Sequence, residues 1–151
     1  MSHDPGASNR ALESIRTALT PDLSASQAMI VTVDVLKEQM PQYTWVGIYL
    51  VTGKELVLGP FRGKPSPHTR IPVGRGICGA AATSGATIIV DDVNSDPRYL
   101  ACSLDTQSEI VVVRDGEVLG EIDIDSDLRA AFDATDRELL EAVAALLSEK
   151  L

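Results

Sequence analysis

The hydrophobic period of this chain changes at Pro41, and that change limits the available folds more than any other feature. Before Pro41, apolar residues recur at helical spacing; after it they alternate, until a last helical stretch closes the sequence. Leu12, Ile15 and Leu19 predict a first helix that stops at Thr20-Pro21. Ser24, with Gln27 three residues later in capping-box order, opens a second helix carrying Ala28, Val31, Val35 and Leu36.

Beyond Pro41, residues 44–51 (TWVGIYLV) and 55–61 (ELVLGPF) are β-rich runs joined by Thr52-Gly53-Lys54, which reads as a hairpin. RGKPSPHTRIPVGRG follows without apolar periodicity and reads as a long loop, the kind of segment that carries function in a small domain. Residues 77–84 suit a short helix, 87–90 a strand, 91–107 an irregular segment, and 109–113 and 117–125 two strands around Asp115-Gly116. Thr135 and Glu138 read as a capping box before a helix bearing Leu139, Leu140, Val143, Leu146 and Leu147. Helices at both ends of a meander imply an α+β fold: an antiparallel sheet with helices packed on one face and ligand loops on the other. We expect a single domain over residues 1–151, with N-terminal helices to residue 40 and a core over 41–147.

A chain of 151 residues with 44% hydrophobic content is large enough to build one core without disulfides or a structural metal. It contains no apolar run long enough to cross a membrane, and MSHDPGASNR has neither a basic nor an apolar leader region, so the expected location is the cytoplasm. Cys78 and Cys102 lack the paired spacing of a zinc site and are expected to be thiols; no metal and no cofactor is expected.

The net charge is −9, and residues 91–127 account for it with eleven acids against Arg98 and Arg114. Nucleic acid and anionic membrane are therefore excluded as partners, since both select a clustered basic face. The acidic segment is either a solvated face or a pocket for a cationic or zwitterionic ligand.

Within it, GEIDIDS (120–126) alternates strictly, which puts Glu121, Asp123 and Asp125 on one side of a strand and Ile122 and Ile124 on the other. Glu109, in SEIVV, is placed to join the acids. Trp45 and Tyr49, four apart on one strand, share a face; beside the acids they would wall a pocket, and otherwise they belong to the core. GRGICG (74–79) matches a glycine-rich dinucleotide pattern but lacks the strand, the long helix and the second half of that fold; it reads instead as a turn holding Cys78 near a helix N-terminus, where the dipole favours a thiolate. Cys102 stands among polar, turn-forming residues, where a packing role is weak and a chemical one is favoured.

These residues together resemble the GAF-fold free methionine-(R)-sulfoxide reductases. The resemblance runs over about residues 40–147 through WVGIYL, LVLGPFRGK, RIPVGRGICG, VDDV, ACS, SEIVV and DIDS. It implies a six-stranded GAF fold, commonly a homodimer, and reduction of free L-methionine-(R)-sulfoxide by cysteine through a sulfenic acid and a disulfide, recycled by a thioredoxin-type reductant. By position it implies Cys102 as the catalytic cysteine, Cys78 as an auxiliary one, and Glu109 and Asp125 as acids near the sulfoxide. Asp91 and Asp123 fall around the substrate ammonium, and Trp45 and Tyr49 around its methyl group. The loop that carries the family's usual resolving cysteine reads KPSPHTR here and contains none, so recycling would fall to Cys78 or an external thiol. A non-catalytic GAF module that binds a small amino-acid-like metabolite is the alternative reading.

Overall fold

The computed structural model describes residues 5–100, 105–113 and 119–151. Six strands, β1 (Trp45–Thr52), β2 (Glu55–Arg62), β3 (Arg70–Pro72), β4 (Ile88–Val90), β5 (Ser108–Val112) and β6 (Gly120–Ser126), form one sheet in the order β3-β2-β1-β6-β5-β4. Every neighbouring pair is antiparallel. Four α-helices accompany it among the described residues: α1 (Pro5–Ala18), α2 (Ala25–Gln39), α3 (Gly76–Ser84) and α4 (Ala134–Ser148). The α+β fold expected from the change of period is the fold observed.

Alternation along the central strands sorts side chains into two separate cores. Val46 and Ile48 of β1, Ile110 and Val112 of β5, and Ile122 and Ile124 of β6 pack beneath α1, α2 and α4. Trp45 and Tyr49 of β1 and Val111 of β5 point the other way, against Ile77, Cys78 and Ala81 of α3 and Ile71 of β3. The loop side of the sheet is thus also roofed, with a nine-residue helix as part of the roof.

Several local expectations are corrected. The long loop contains a strand, β3, whose Leu56↔Ile71 pairing extends the sheet by one narrow edge; its single pair of apolar partners left no period to read. The α4 cap lies two residues earlier than expected: Asp133 Oδ1 accepts from the backbone N–H groups of Thr135 and Asp136, and Asp136 Oδ2 accepts from Asp133 N–H. Two carboxylates thus make the box that Thr135 and Glu138 were expected to make. Ser24 and Gln27 do cap α2, but its buried stripe is Ala28, Met29, Thr32, Val33 and Leu36, which leaves Val31 and Val35 half-buried. The first helix ends at Ala18, before Thr20.

The β1–β2 hairpin turns on Gly53 (φ +62°) and Lys54, a two-residue connection with glycine where a positive φ is required. Tyr43, just before β1, donates from its buried hydroxyl to Asp136 Oδ1 at 2.6 Å and so ties the strand's entry to the start of α4.

Candidate active site

Register decides which side chains meet on the loop side. Trp45 lies opposite Asp125, Gly47 opposite Asp123 and Tyr49 opposite Glu121 across β1 and β6. Glu109 of β5 lies opposite Asp125 from the other side, with Val111 opposite Asp123. Because side chains alternate along a strand, these partners stand on one face. Trp45, Tyr49, Glu109, Asp123 and Asp125, five of the expected site residues, are therefore brought together.

The acids are not a solvated face. Glu109, Glu121, Asp123 and Asp125 retain 5%, 3%, 2% and 3% of their accessible surface, while Asp91, Asp105 and Asp127 from the same acidic segment are exposed. Burial costs a carboxylate its hydration, and each neighbouring acid adds repulsion, so protons are held to higher pH. Burial, and then the charge of Asp123, pushes Glu121 up to about 9. Burial also raises Asp125 well above its ordinary value, with Asp123 adding to the effect. Asp123 is raised by burial as well, but hydrogen bonds from Glu109 and Cys78 oppose the shift. Asp123 is therefore the member best supported as an anion, Glu121 is a carboxylic acid at neutral pH, and Asp125 is pushed in the same direction as Glu121. Glu109 hydrogen-bonds to both aspartates.

Cys78 sits buried in the first turn of α3, and its thiol donates to Asp123 Oδ2 at 3.4 Å. The expectation that the helix N-terminus would favour its thiolate is overturned: burial, then the charges of Asp123, Glu109 and Glu121, drive the thiol well above its ordinary range. A half-charge at the end of a short helix does not outweigh desolvation beside three acids. The single S–H proton goes to Asp123, and both oxygens of Glu121, which faces the same thiol, are buried without a hydrogen-bond partner among the described residues.

The aromatic side chains serve as wall and as tether. The Trp45 indole lies flat over Gly47, where an added Cβ would come within 2.2 Å of the ring, and stacks on Phe61 at 5.8 Å. Its Nε1–H donates to the Lys64 carbonyl at 2.9 Å, and the Tyr49 hydroxyl donates to the His68 carbonyl at 2.7 Å. Both bonds hold the proline-rich loop over the sheet. Beneath it a groove of about 330 Å³ is bordered by Trp45, Asp125, Gly63, Lys64, Asp105 and Thr106. A void of about 20 Å³ lies deeper, among Tyr49, Ile77, Cys78, Glu109 and Asp123. A third space, of about 300 Å³, lies on the helix side and is bordered by Met29, Ile48, Leu50, Glu121 and Leu147.

Cys102 lies outside the described residues. Leu100, two positions before it, packs on Gly76, two positions before Cys78. Asp91 is exposed, just beyond the end of β4. Glu121, not among the expected site residues, joins them; the strict alternation of GEIDIDS was the signal for it.

The chain is similar to known proteins over most of its length. The GAF domain family model matches residues 11–151. The free methionine-R-sulfoxide reductase of Escherichia coli is 37% identical over 122 residues, covering 80% of this chain and 73% of that protein. The enzyme of the same name from Saccharomyces cerevisiae is 44% identical over 70% of this chain and 61% of its own length. The crystal structure of free methionine-R-sulfoxide reductase from Neisseria meningitidis in complex with its substrate superposes with a TM-score of 0.92 at 38% identity, covering 99% of this chain and 91% of that one.

Proposed function

Since the chain belongs to the free methionine-(R)-sulfoxide reductase family of GAF domains, we propose that it reduces free L-methionine-(R)-sulfoxide to methionine at the buried acidic face of β1, β5 and β6. The observation that carries this reading is the register that sets Trp45 and Tyr49 against Asp125 and Glu121, with Glu109 hydrogen-bonded to both aspartates. An oxidised, zwitterionic amino acid needs an apolar wall, a proton donor and an anion for its ammonium, and this face offers all three.

In the proposed reaction the Cys102 thiolate attacks the sulfoxide sulfur while a carboxylic acid, Glu109 or Asp125, delivers a proton to the sulfoxide oxygen. The sulfur–sulfur bond formed in this attack then breaks as the hydroxyl passes from the substrate sulfur to the Cys102 sulfur, which releases methionine and leaves Cys102 as a sulfenic acid. A second thiol, Cys78 or an external one, condenses with it to a disulfide and releases water; a thioredoxin-type dithiol then restores both thiols and supplies the two electrons. A carboxyl whose proton is held to higher pH by burial, as that of Asp125 is, suits the first step, because the sulfoxide oxygen needs a proton as the sulfur is attacked. Asp123, the best-supported anion, receives the ammonium, with Asp91 at the rim. Trp45 and Tyr49 flank the methyl group. The groove at the Trp45–Asp125 end has room for an amino acid, and the void at Cys78 does not. We place the enzyme in a reducing, cytoplasmic setting as a homodimer.

The test is methionine release from free L-methionine-(R)-sulfoxide by the purified, reduced protein with thioredoxin, thioredoxin reductase and NADPH. Turnover is expected with the free R-sulfoxide and is expected to fall at least tenfold with the N-acetylated substrate. Tight binding without turnover would instead make the chain a ligand-binding module.

A further inference from the structure

We propose that the void beside Cys78 is a site for a zinc-like divalent cation, held by the Cys78 sulfur and the Glu109 and Asp123 carboxylates, with Glu121, which faces the Cys78 thiol from outside the void, turning in as the fourth ligand. The inference goes beyond the reductase reading and does not depend on it. One ligand atom from each of Cys78, Glu109 and Asp123 lies within 4.8 Å of the others. The Cys78 Sγ–Asp123 Oδ2 separation is 3.4 Å. A tetrahedral zinc with sulfur at about 2.3 Å and oxygen at about 2.1 Å sets those two ligands roughly 3.6 Å apart, so this edge of the tetrahedron is already formed.

Two further observations point to a ligand there. The same three residues line the void, whose volume of about 20 Å³ suits one ion and excludes an amino acid. Both Glu121 oxygens and Asp123 Oδ1 are buried without a hydrogen-bond partner among the described residues, and Glu121 faces the Cys78 thiol. Buried, unpartnered carboxyl oxygens are costly, and a cation satisfies several at once.

The donor set selects the class of ion. A thiolate with carboxylates favours zinc or cadmium over magnesium or calcium, which require oxygen shells and keep their waters. On binding, the Cys78 S–H bond is exchanged for a sulfur–metal bond and the proton leaves to solvent; no electron is transferred. Because the ion takes Asp123 and Glu109, its occupancy excludes a cationic ligand from the acids, so the site would silence this pocket.

The experiment is titration of the reduced, full-length protein with Co²⁺ and Zn²⁺. One equivalent of Co²⁺ should give a thiolate-to-cobalt charge-transfer band that persists in Cys102→Ser and disappears in Cys78→Ser. Glu121→Gln should weaken Zn²⁺ binding at least tenfold while circular dichroism shows an unchanged fold. The assignment is overturned by the absence of stoichiometric binding, by a band that follows Cys102 and not Cys78, or by equal affinity in folded Glu121→Gln.

Discussion

Glu121 concentrates the physical tension of this protein in one side chain. Its folded pKa of about 9 lies above the ordinary value of 4.5, so its contribution to stability is full below about pH 4.5 and is lost as pH rises toward 9. At pH 7 the loss amounts to about 3 kcal/mol. Glu121→Gln removes that titration: urea unfolding should show the variant more stable than the parent by about 1–3 kcal/mol at pH 8, with the gain gone at pH 4.5. An equal difference at both pH values would show that the carboxyl is not buried and neutral. Cys78 makes the complementary case. Its raised pKa predicts that in Cys102→Ser the remaining thiol reacts with iodoacetamide at pH 7.5 at least tenfold more slowly than free cysteine, as thiol mass labelling would measure. The sequence alone suggests the opposite for Cys78, because its helix position can be read locally, whereas the acids that govern it arrive from two other strands.

At the scale of the element, β1 is the organiser. It presents Trp45 and Tyr49 to the acids and hangs the following loop from their polar ends. Tyr49→Phe keeps the ring and removes one tether; it should cost about 0.5–1.5 kcal/mol and raise amide exchange over residues 64–69, with KM increased more than kcat is reduced. Gly47→Ala tests the wall itself. The new methyl group would displace the indole, so a loss of about 1–3 kcal/mol and weaker substrate binding are expected from calorimetry and kinetics. The faces of β1 and β6 are legible in the sequence because WVGIYL and GEIDIDS keep their period of two from end to end. β3 is not, since three residues with one buried member carry no period. The α4 cap is misread because Asp133 and Asp136 satisfy the box geometry as well as Thr135 and Glu138 do, and only the start of the helix separates the two choices.

For the molecule as a whole, a sheet buried on both faces leaves its acids with nowhere to find water. Burial raises Glu121, Asp123 and Asp125 together, so all three contribute stability below the unfolded carboxylate range of about pH 4 and lose it as pH climbs. The thermal midpoint of the free protein should therefore fall between pH 5 and pH 8, and saturating methionine sulfoxide should reduce that fall by giving the acids a cation. Identical midpoints at the two pH values would contradict the buried cluster. The overall architecture can be read from periodicity and caps. The depth of the acids cannot, because it depends on α3 and the loop closing over a face that the strand pattern alone leaves open.

The two tethers from β1 grip backbone carbonyls, those of Lys64 and His68, and take nothing from the side chains of the loop. Anchored in this way, the roof of the site is a chassis whose fittings can be exchanged. Residues between the anchors can be rewritten, by selection or by an engineer, with the peptide path kept in place. A thiol could be moved into or out of that stretch without rebuilding the pocket below it.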